Sequence, residues 1–237
     1  MTDETHTPSR FRLHVAIDGP AGSGKSTIGK KLARRLDCRF LDTGLMYRAL
    51  TWCALQHDVD PDDVVALTSM GTEMDFQLSS GDEDGIVVDG RIMKDEVRTL
   101  DVDATVSRVA MHPGVREIMV KRQRQLARQT CMVMVGRDIG TVVLPSAQVK
   151  LWVTASPGER ALRRFDEGLA TVGDLPAVQA GIERRDEIDA TRRVSPLRPA
   201  HDAIHVVTDG LTADEAVSLA ERIVEERIRG ALHRCNL

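Results

Sequence analysis

The sequence predicts an α/β fold with a central parallel sheet. Short apolar runs alternate with amphipathic helical patterns along the 237 residues, and a glycine-rich loop joins the first run to the first helix. Because parallel strands need crossover helices, this alternation favours a parallel sheet, for which the chain offers five strands. At roughly 150 residues per domain, the length predicts one large domain or one domain with insertions.

The first half of the chain supplies two strand and helix pairs. An apolar run over 13–17 ends in the glycine-rich loop. The helix after the loop keeps its apolar residues on one face: Ile28, Leu32, Ala33 and Leu36. A second strand over 40–42 then leads into another amphipathic helix, which closes near Asp58.

Between about residues 73 and 100 the pattern changes. Met74, Phe76 and Leu78 alternate with polar residues, and the dipeptides Asp84-Gly85 and Asp89-Gly90 flank the apolar run 86–88. Alternation bounded by Asp-Gly turns is typical of short antiparallel strands. We therefore predict a small inserted lobe in this region.

The second half returns to helices and buried strands. Helical periodicity covers 102–110 and 115–126, and the continuous apolar run 131–135 predicts a strand buried on both faces. A strand over 149–153 precedes a helix start at Ser156-Pro157-Gly158-Glu159 and a charged helix that ends near Arg193. A last strand over 204–207 is followed by a second capping box at 212–215.

Composition narrows the class of protein. A net charge of -4 and an aromatic content of 3% argue against nucleic-acid binding through bulk charge or stacking. No apolar stretch approaches the ~18 residues of a membrane span, and acids and proline stand where a signal peptide needs an apolar run. We therefore expect a loose tail over residues 1–12. The four cysteines form no Cys-x-x-Cys pair, which fits a protein with reduced cysteines in the cytoplasm.

The glycine-rich loop is the most specific chemical signal. Residues 19–26 match the phosphate-binding pattern G-x-x-x-x-G-K-[ST] between a strand and a helix: Gly19, Pro20, Ala21, Gly22, Ser23, Gly24, Lys25 and Ser26. Its backbone N–H groups would turn toward phosphate oxygens, Lys25 would reach the β- and γ-phosphates, and Ser26 could ligate Mg²⁺.

Charged residues follow two further strands at the same sheet edge, where open α/β sheets bind ligands. Asp42, Thr43 and Arg48 come after the second strand; by composition alone they are also compatible with a helix cap and a surface arginine. Arg137 and Asp138 follow the buried strand, where they could bind a phosphate and an exocyclic amine or form a local ion pair.

The segment 184–193 is densely charged, with Arg185, Asp189, Arg192 and Arg193 at helical spacing. A solvated helix with salt bridges is the simpler interpretation. Phosphoryl transfer offers another, because its transition state spreads negative charge that arginines on a closing segment would neutralise.

Five motifs in this order resemble those of the bacterial-type cytidylate kinases, a branch of the nucleoside monophosphate kinases. They are IDGPAGSGKST, FLDTGLMYRA, SRVAMHPGVRE, GRDIGTVVLP and RRDEIDATRRVSPL. The resemblance covers essentially the whole chain and implies a parallel sheet in the order 2-3-1-4-5. It also implies a core over about 13–72, 101–158 and 194–237, a nucleoside monophosphate lobe over about 73–100, and a helical lid over about 159–193.

The resemblance further implies transfer of a phosphoryl group from ATP to CMP or dCMP by a cytoplasmic, monomeric, Mg²⁺-dependent enzyme. Residues Gly19 to Thr27 would hold the ATP phosphates. Arg48, Arg137 and Arg192 would hold the CMP phosphate, and Thr43 would help to seat the acceptor. Ser107, Arg116 and Asp138 would contact cytosine, and Arg185 and Asp189 would contact the sugar. Lys25, Arg48, Arg137 and Arg192 would carry the catalysis.

One position departs from the family pattern. The family usually has an acid directly before Gly-Arg-Asp, whereas this chain has Val135. A bound Mg²⁺ would then depend on Ser26, phosphates and water, and we hypothesise that Asp42, expected at the same sheet edge, supports these ligands without binding the metal directly. Two alternatives stay open: a kinase of another small acceptor, such as UMP or a sugar acid, and a nucleotide-binding switch without turnover, which Val135 favours.

Overall fold

The computed structural model describes residues 12–79, 85–166 and 175–235. Its strands are β1 His14–Asp18, β2 Arg39–Asp42, β3 Phe76–Leu78, β4 Ile86–Val88, β5 Arg91–Met93, β6 Met132–Gly136, β7 Val149–Thr154 and β8 Ile204–Val207. Its α-helices are α1 Lys25–Arg35, α2 Thr43–Gln56, α3 Val64–Glu73, α4 Leu100–Met111, α5 Pro113–Ala127, α6 Pro157–Asp166, α7 Leu175–Thr191 and α8 Ala213–Cys235. A 3₁₀ turn spans Asp95–Val97 and a π-helical turn spans Ile139–Val143.

The main sheet has five parallel strands in the order β2-β6-β1-β7-β8. Counting only the strands of this sheet, the order is 2-3-1-4-5, which confirms the prediction. Val135 of β6 is in register with Ile17 of β1 and with Asp42 of β2. These three strands therefore end at the same level, and the loops that follow them meet at one edge.

An apolar layer covers each face of this sheet, because successive side chains of its central strands point to opposite faces. Ala16 and Met134 belong to the cluster that packs against α2, α4 and α5, whereas Ile17 and Val135 belong to the cluster under α1 and α8. Both faces of β1 and β6 are thus buried, as the continuous apolar run 131–135 predicted. The result is a three-layer α/β arrangement.

The predicted small antiparallel sheet is also present, as β3-β4-β5. Asp89 and Gly90 join β4 to β5 with φ angles of 50° and 78°, the left-handed conformation that a tight two-residue hairpin requires. The other predicted turn includes Asp84, which lies outside the described residues. Buried side chains of this sheet, such as Ile86 and Met93, join the cluster on the α2 face.

Local details confirm some expectations and change others. Thr212 and Glu215 form the predicted capping box, since Oγ1 of Thr212 accepts from the Glu215 N–H at 3.3 Å and Oε2 of Glu215 accepts from the Thr212 N–H at 2.8 Å. The charged helix ends at Thr191, two residues before the predicted end. Arg193 therefore lies beyond the helix and is exposed.

Parts of four predicted segments fall outside the described residues: 1–11 of the tail, 80–84 of the lobe, 167–174 of the lid and 236–237 of the core. The lid and lobe boundaries remain predictions. Across the described ranges, no helix combines the length and apolar character that crossing a membrane requires.

Candidate active site

The site is a cleft in two adjoining parts at the carboxyl edge of the main sheet. One part lies over β2 and β6 and is lined by arginines and carboxylates, including Arg48, Arg137 and Asp138. The other lies between the glycine-rich loop and the segment after β8, with Arg163 and Thr208 in its lining. Five residues line both parts: Gly22, Lys25, Ser26, Arg98 and Arg164.

The glycine-rich loop takes a conformation that its glycines permit. At Gly19, a Cβ atom would lie 2.0 Å from the carbonyl oxygen of Val153, so the loop passes β7 too closely for any side chain. Gly24 has a φ of 84° and starts α1 without a side-chain cap. The first N–H groups of α1 are therefore available at the mouth of the loop, where a phosphate would meet the positive end of the helix.

Lys25 folds back over its own loop. Its Nζ donates to the carbonyl oxygen of Pro20 at 2.5 Å and to Oγ of Ser23 at 3.2 Å. Burial, followed by the nearby Arg137 guanidinium, holds the pKa of Lys25 well below its usual range. A buried ammonium group with a carbonyl and a hydroxyl as partners is a strong site for an anion, because each added negative charge offsets its desolvation.

Ser26 and Asp42 meet at the base of the cleft. The Ser26 hydroxyl donates to Oδ2 of Asp42 at 2.7 Å, and the other carboxylate oxygen accepts from the Gly44 N–H at 3.0 Å. Asp42 is therefore the N-cap of α2 and, at the same time, a partner of the glycine-rich loop. The capping interpretation is therefore confirmed at this residue.

Val135 is among the residues that line the first part of the cleft, and its side chain packs against α1. It is 1% exposed, and Cγ1 would lie 2.5 Å from a Cβ atom on Gly29 of α1. Only a residue without a side chain fits opposite this valine, so the space that an acid would use is filled by apolar contact with α1. The valine's carbonyl oxygen accepts from the Thr43 hydroxyl at 2.9 Å, which fixes the start of α2.

Four of the predicted arginines gather in the first part of the cleft and share two carboxylates. Asp103 of α4 accepts from Arg48 and, at 3.2 Å, from Arg185. Asp189 is paired with Arg137 at 3.0 Å and with Arg192 at 3.5 Å. The four arginines are Arg48, Arg137, Arg185 and Arg192. The structure thus brings together residues from α2, α7 and the loop after β6.

Asp138 and Arg116 form a buried ion pair behind the arginines. Nη2 of Arg116 lies 2.5 Å from Oδ2 of Asp138, and its guanidinium stacks over the Tyr47 ring at 5.4 Å. Buried Ser107 lines the same region. Three buried guanidinium nitrogens make no hydrogen bond within the described chain: Nε of Arg116, Nε of Arg185 and Nη2 of Arg192. Buried donors of this kind indicate a place for a polar ligand.

Asp18 supports this region from below, and the motif analysis did not single it out. Its two carboxylate oxygens accept from the N–H groups of Ile139 and Gly140, both at 2.7 Å. The two bonds hold the π-helical turn that follows Asp138. Burial outweighs these hydrogen bonds and raises the pKa of Asp18 to about 6. Its place at the end of β1, directly before Gly19, is the sequence signal that could have identified it.

This raised pKa predicts a pH dependence of stability. The folded state binds the Asp18 proton more tightly than the unfolded state, so this proton stabilises the folded state at low pH. The contribution to the free energy of unfolding, about 3 kcal/mol, is fully present below pH 4 and is lost as the pH rises through 6. The unfolding free energy of an Asp18→Asn variant, measured by urea titration, should therefore increase relative to that of the unmodified protein as the pH rises from 4 to 7.

A matched control reverses the sign. Asp209 is exposed, and hydrogen bonds from Ser156 lower its pKa. Asp209→Asn should instead lose stability relative to the unmodified protein as the pH rises toward about 4, and its curve should run parallel to that of the unmodified protein between about pH 5 and 7. Parallel stability curves for Asp18→Asn and the unmodified protein across this range would contradict the assignment for Asp18.

Three arginines of α6, the helix after β7, differ in their contacts. Arg160 is buried, and it donates to the carbonyl oxygens of Ala155 and Ala21 and to Asp186. Arg163 is held by Thr208 at 2.9 Å and 2.7 Å. Only Arg164, of these three, lines both parts of the cleft.

Helix α7 contacts the glycine-rich loop directly. Oδ1 of Asp186 accepts from the backbone N–H of Ala21 at 3.2 Å. Sequence reasoning did not identify this contact or the role of Asp103, because both join residues that are far apart in the chain.

The fold and the site together define a P-loop kinase. The family model described as cytidylate kinase matches residues 15–226. A cytidylate kinase of Geobacillus sp. (strain WCH70) is 47% identical over 222 residues, covering 92% of this chain and 99% of that protein. One from Anoxybacillus flavithermus is 45% identical with the same coverage. The chain therefore belongs to the cytidylate kinase family, which confirms the resemblance inferred from its motifs.

A solved structure shares the fold at low sequence identity. It is that of an uncharacterized protein from Eubacterium ventriosum ATCC 27560, with a TM-score of 0.51 and 12% identity. The match covers 91% of this chain and 99% of that one. At this identity, the likeness concerns the fold alone.

Proposed function

We propose that this protein transfers the γ-phosphoryl group of ATP to CMP or dCMP, giving ADP and CDP or dCDP. Family membership supports a kinase that acts on cytidylate. The single observation that carries the proposal is the two-part cleft, in which a phosphate-binding loop and a cluster of buried arginines share Lys25, Ser26 and Arg164. A donor and an acceptor bound in these parts would meet at the shared residues.

The donor would bind along the glycine-rich loop. The residues from Gly19 to Thr27 would surround its phosphates with backbone N–H groups and the Lys25 ammonium. Beyond the phosphates, the lining by Arg163, Thr208 and Leu211 leaves room for the nucleoside. Arg163 is fixed there by Thr208, so its guanidinium offers a flat, ordered surface for a base.

The acceptor would bind in the arginine-rich part. Arg48, Arg137 and Arg192 would hold its phosphate, and Arg185 and Asp189 its sugar. Asp138 would accept from the cytosine N4 amine while Arg116 donates to O2 and N3, with Ser107 and Thr43 completing the seat. The unpartnered nitrogens of Arg116, Arg185 and Arg192 would then gain partners. A carbonyl at the N4 position would face a carboxylate, so CMP should be preferred over UMP.

The transfer needs no covalent intermediate on the protein. An oxygen of the acceptor phosphate forms the new bond to the γ-phosphorus, while the bond to the β,γ-bridging oxygen breaks and ADP leaves. The protein orients the two nucleotides in line, excludes water, and neutralises charge with Lys25 and Arg164. Among the three arginines of α6, Arg164 is the one that we assign to the transferring group, because Arg160 and Arg163 do not line both parts of the cleft.

The residues at the base of the cleft fit a magnesium ion. Mg²⁺ takes oxygen ligands, uses one or two from the protein, and neutralises phosphate charge when it is bound. The Ser26 hydroxyl would hold it, and Asp42, 2.7 Å from that hydroxyl, would orient Ser26 or accept from a metal-bound water. Asp42 thus supplies a carboxylate at this edge where Val135 supplies none.

The function is tested by ADP release from Mg-ATP with CMP, dCMP, UMP and AMP as acceptors, using Lys25→Ala as the blank. Turnover should be highest with CMP and dCMP. If UMP gave the highest turnover, the assignment of Asp138 would be wrong. Val135 favours a second candidate, a nucleotide-binding switch; ATP binding without ADP release for any acceptor would support that alternative.

The role of Asp42 is tested by its replacement with alanine. Asp42→Ala should raise the Mg²⁺ concentration for half-maximal activity by about tenfold, because Ser26 loses its partner, and should cost about 1 kcal/mol of stability through the lost cap. Asp63→Ala is the matched control, since Asp63 caps α3 through the Ala66 N–H at 2.9 Å and is far from the loop. An unchanged Mg²⁺ dependence in Asp42→Ala would refute the hypothesis.

We also propose that the protein acts as a monomer in the cytoplasm. The monomer is checked by sedimentation equilibrium at micromolar concentration.

A further inference from the structure

Asp103 is a carboxylate that the proposed reaction does not use. It lies in the first turn of α4, and a single oxygen, Oδ1, accepts from both Arg48 and Arg185. Arg48 is buried and donates also to the carbonyl oxygen of Val97 at 3.2 Å. Two arginines assigned to the acceptor therefore already share an anion that belongs to the protein.

The surroundings keep this carboxylate ionised. Burial opposes ionisation, but the guanidinium groups of Arg48, Arg185 and Arg164 outweigh it and lower the pKa of Asp103. Four arginines meet in this part of the cleft, and their mutual repulsion needs counter-charge when no nucleotide is bound. Asp189 supplies it to Arg137 and Arg192, and Asp103 supplies it to the other two.

We propose that Asp103 is an internal counter-anion that competes with the acceptor's phosphate group for Arg48 and is displaced from this arginine when that group binds. A phosphate monoester carries up to two charges and three acceptor oxygens, so it outcompetes one carboxylate oxygen for a guanidinium. The displacement costs binding energy, and Asp103 thereby sets the affinity for the acceptor. The identity of that acceptor rests on the proposed function, whereas the competition with an anion does not.

The first test compares Asp103→Asn with Asp101→Asn. Asp101 lies in the same first turn of α4 but is exposed, so its replacement removes the same charge at the same helix end. Asp103→Asn should lower KM for CMP by about tenfold with kcat and the KM for ATP unchanged. Asp101→Asn should change none of these constants. A raised or unchanged KM for CMP in Asp103→Asn would overturn the proposal, because Asp103 would then position the arginines or leave them unaffected.

A second test needs no turnover. Inorganic phosphate is titrated into each variant, and its dissociation constant is obtained from the shift of the thermal midpoint. Asp103→Asn should have a lower midpoint without phosphate and should bind phosphate about tenfold more tightly than the unmodified protein. Asp103→Ser serves in the same titration if the Asn variant does not fold. Equal phosphate affinities would refute the proposal, whereas a protein inactive toward CMP would refute only the proposed function.

Discussion

Replacing Lys25 with methionine is expected to lower kcat for CMP phosphorylation by about a thousandfold. Methionine keeps the length of the side chain but removes the ammonium group, which is buried against Pro20 and Ser23 at the mouth of the loop. In the folded protein this charge is held with little solvent around it, so its interaction with a developing phosphoryl charge is only weakly screened. Stopped-flow measurement of ADP formation at saturating nucleotides checks the rate.

A surface lysine on the same helix provides the control. Lys31 is paired with exposed Asp214 at 2.7 Å, so Lys31→Met removes an equal charge from α1 without touching the loop. Its kcat should stay within about twofold of the unmodified value, with a loss of stability below about 1 kcal/mol. A Lys25→Met variant that stays folded and retains a tenth or more of the activity would show that the ammonium group does not act on the transferring group.

The second large effect concerns the choice of base. Asp138→Asn should reduce the ratio of kcat/KM for CMP to that for UMP by about a hundredfold. The carboxylate can only accept a hydrogen bond, whereas the amide offers a donor that suits the uracil carbonyl. Acceptor titrations with both nucleotides at fixed Mg-ATP give the ratio.

Stability has to be followed in the same experiment, because Asp138 neutralises buried Arg116 at 2.5 Å. Removing one partner of such a pair costs about 3–5 kcal/mol. The double variant Asp138→Asn with Arg116→Gln removes the uncompensated charge and serves if the single variant unfolds. Either variant that kept full preference for CMP, with normal ATP binding, would show that Asp138 does not read the base.

Most of the fold could be predicted because it follows from local patterns. The apolar run 131–135 implies a strand with two buried faces, and the parallel order follows from the helices that connect such strands. The π-helical turn Ile139–Val143 could not be predicted in this way. Its apolar residues carry no signal for that conformation, which depends on Asp18, 121 residues from Ile139 in the sequence.

The same distinction between local and long-range signals applies to the residues of the candidate site. The loop at 19–26 and the Arg137-Asp138 pair were predictable because each motif lies within a few residues of a strand end. The pairing of the charges was not predictable, since Asp103 is 55 residues from Arg48 and 82 from Arg185. The direction of the Val135 side chain depended likewise on its packing against Gly29, which only the assembled sheet and helix determine.

Three residues that lie close together on helix α7 make contacts with distant parts of the chain. Arg185 holds Asp103 on α4, Asp186 holds the Ala21 N–H of the loop, and Asp189 holds Arg137 after β6. Because these three side chains lie within five residues of one helix, a rigid-body movement of α7 would change all three contacts together. Under the proposed function, such a movement would couple the donor loop to the acceptor arginines, and by reciprocity each nucleotide would then change the affinity for the other by the same factor.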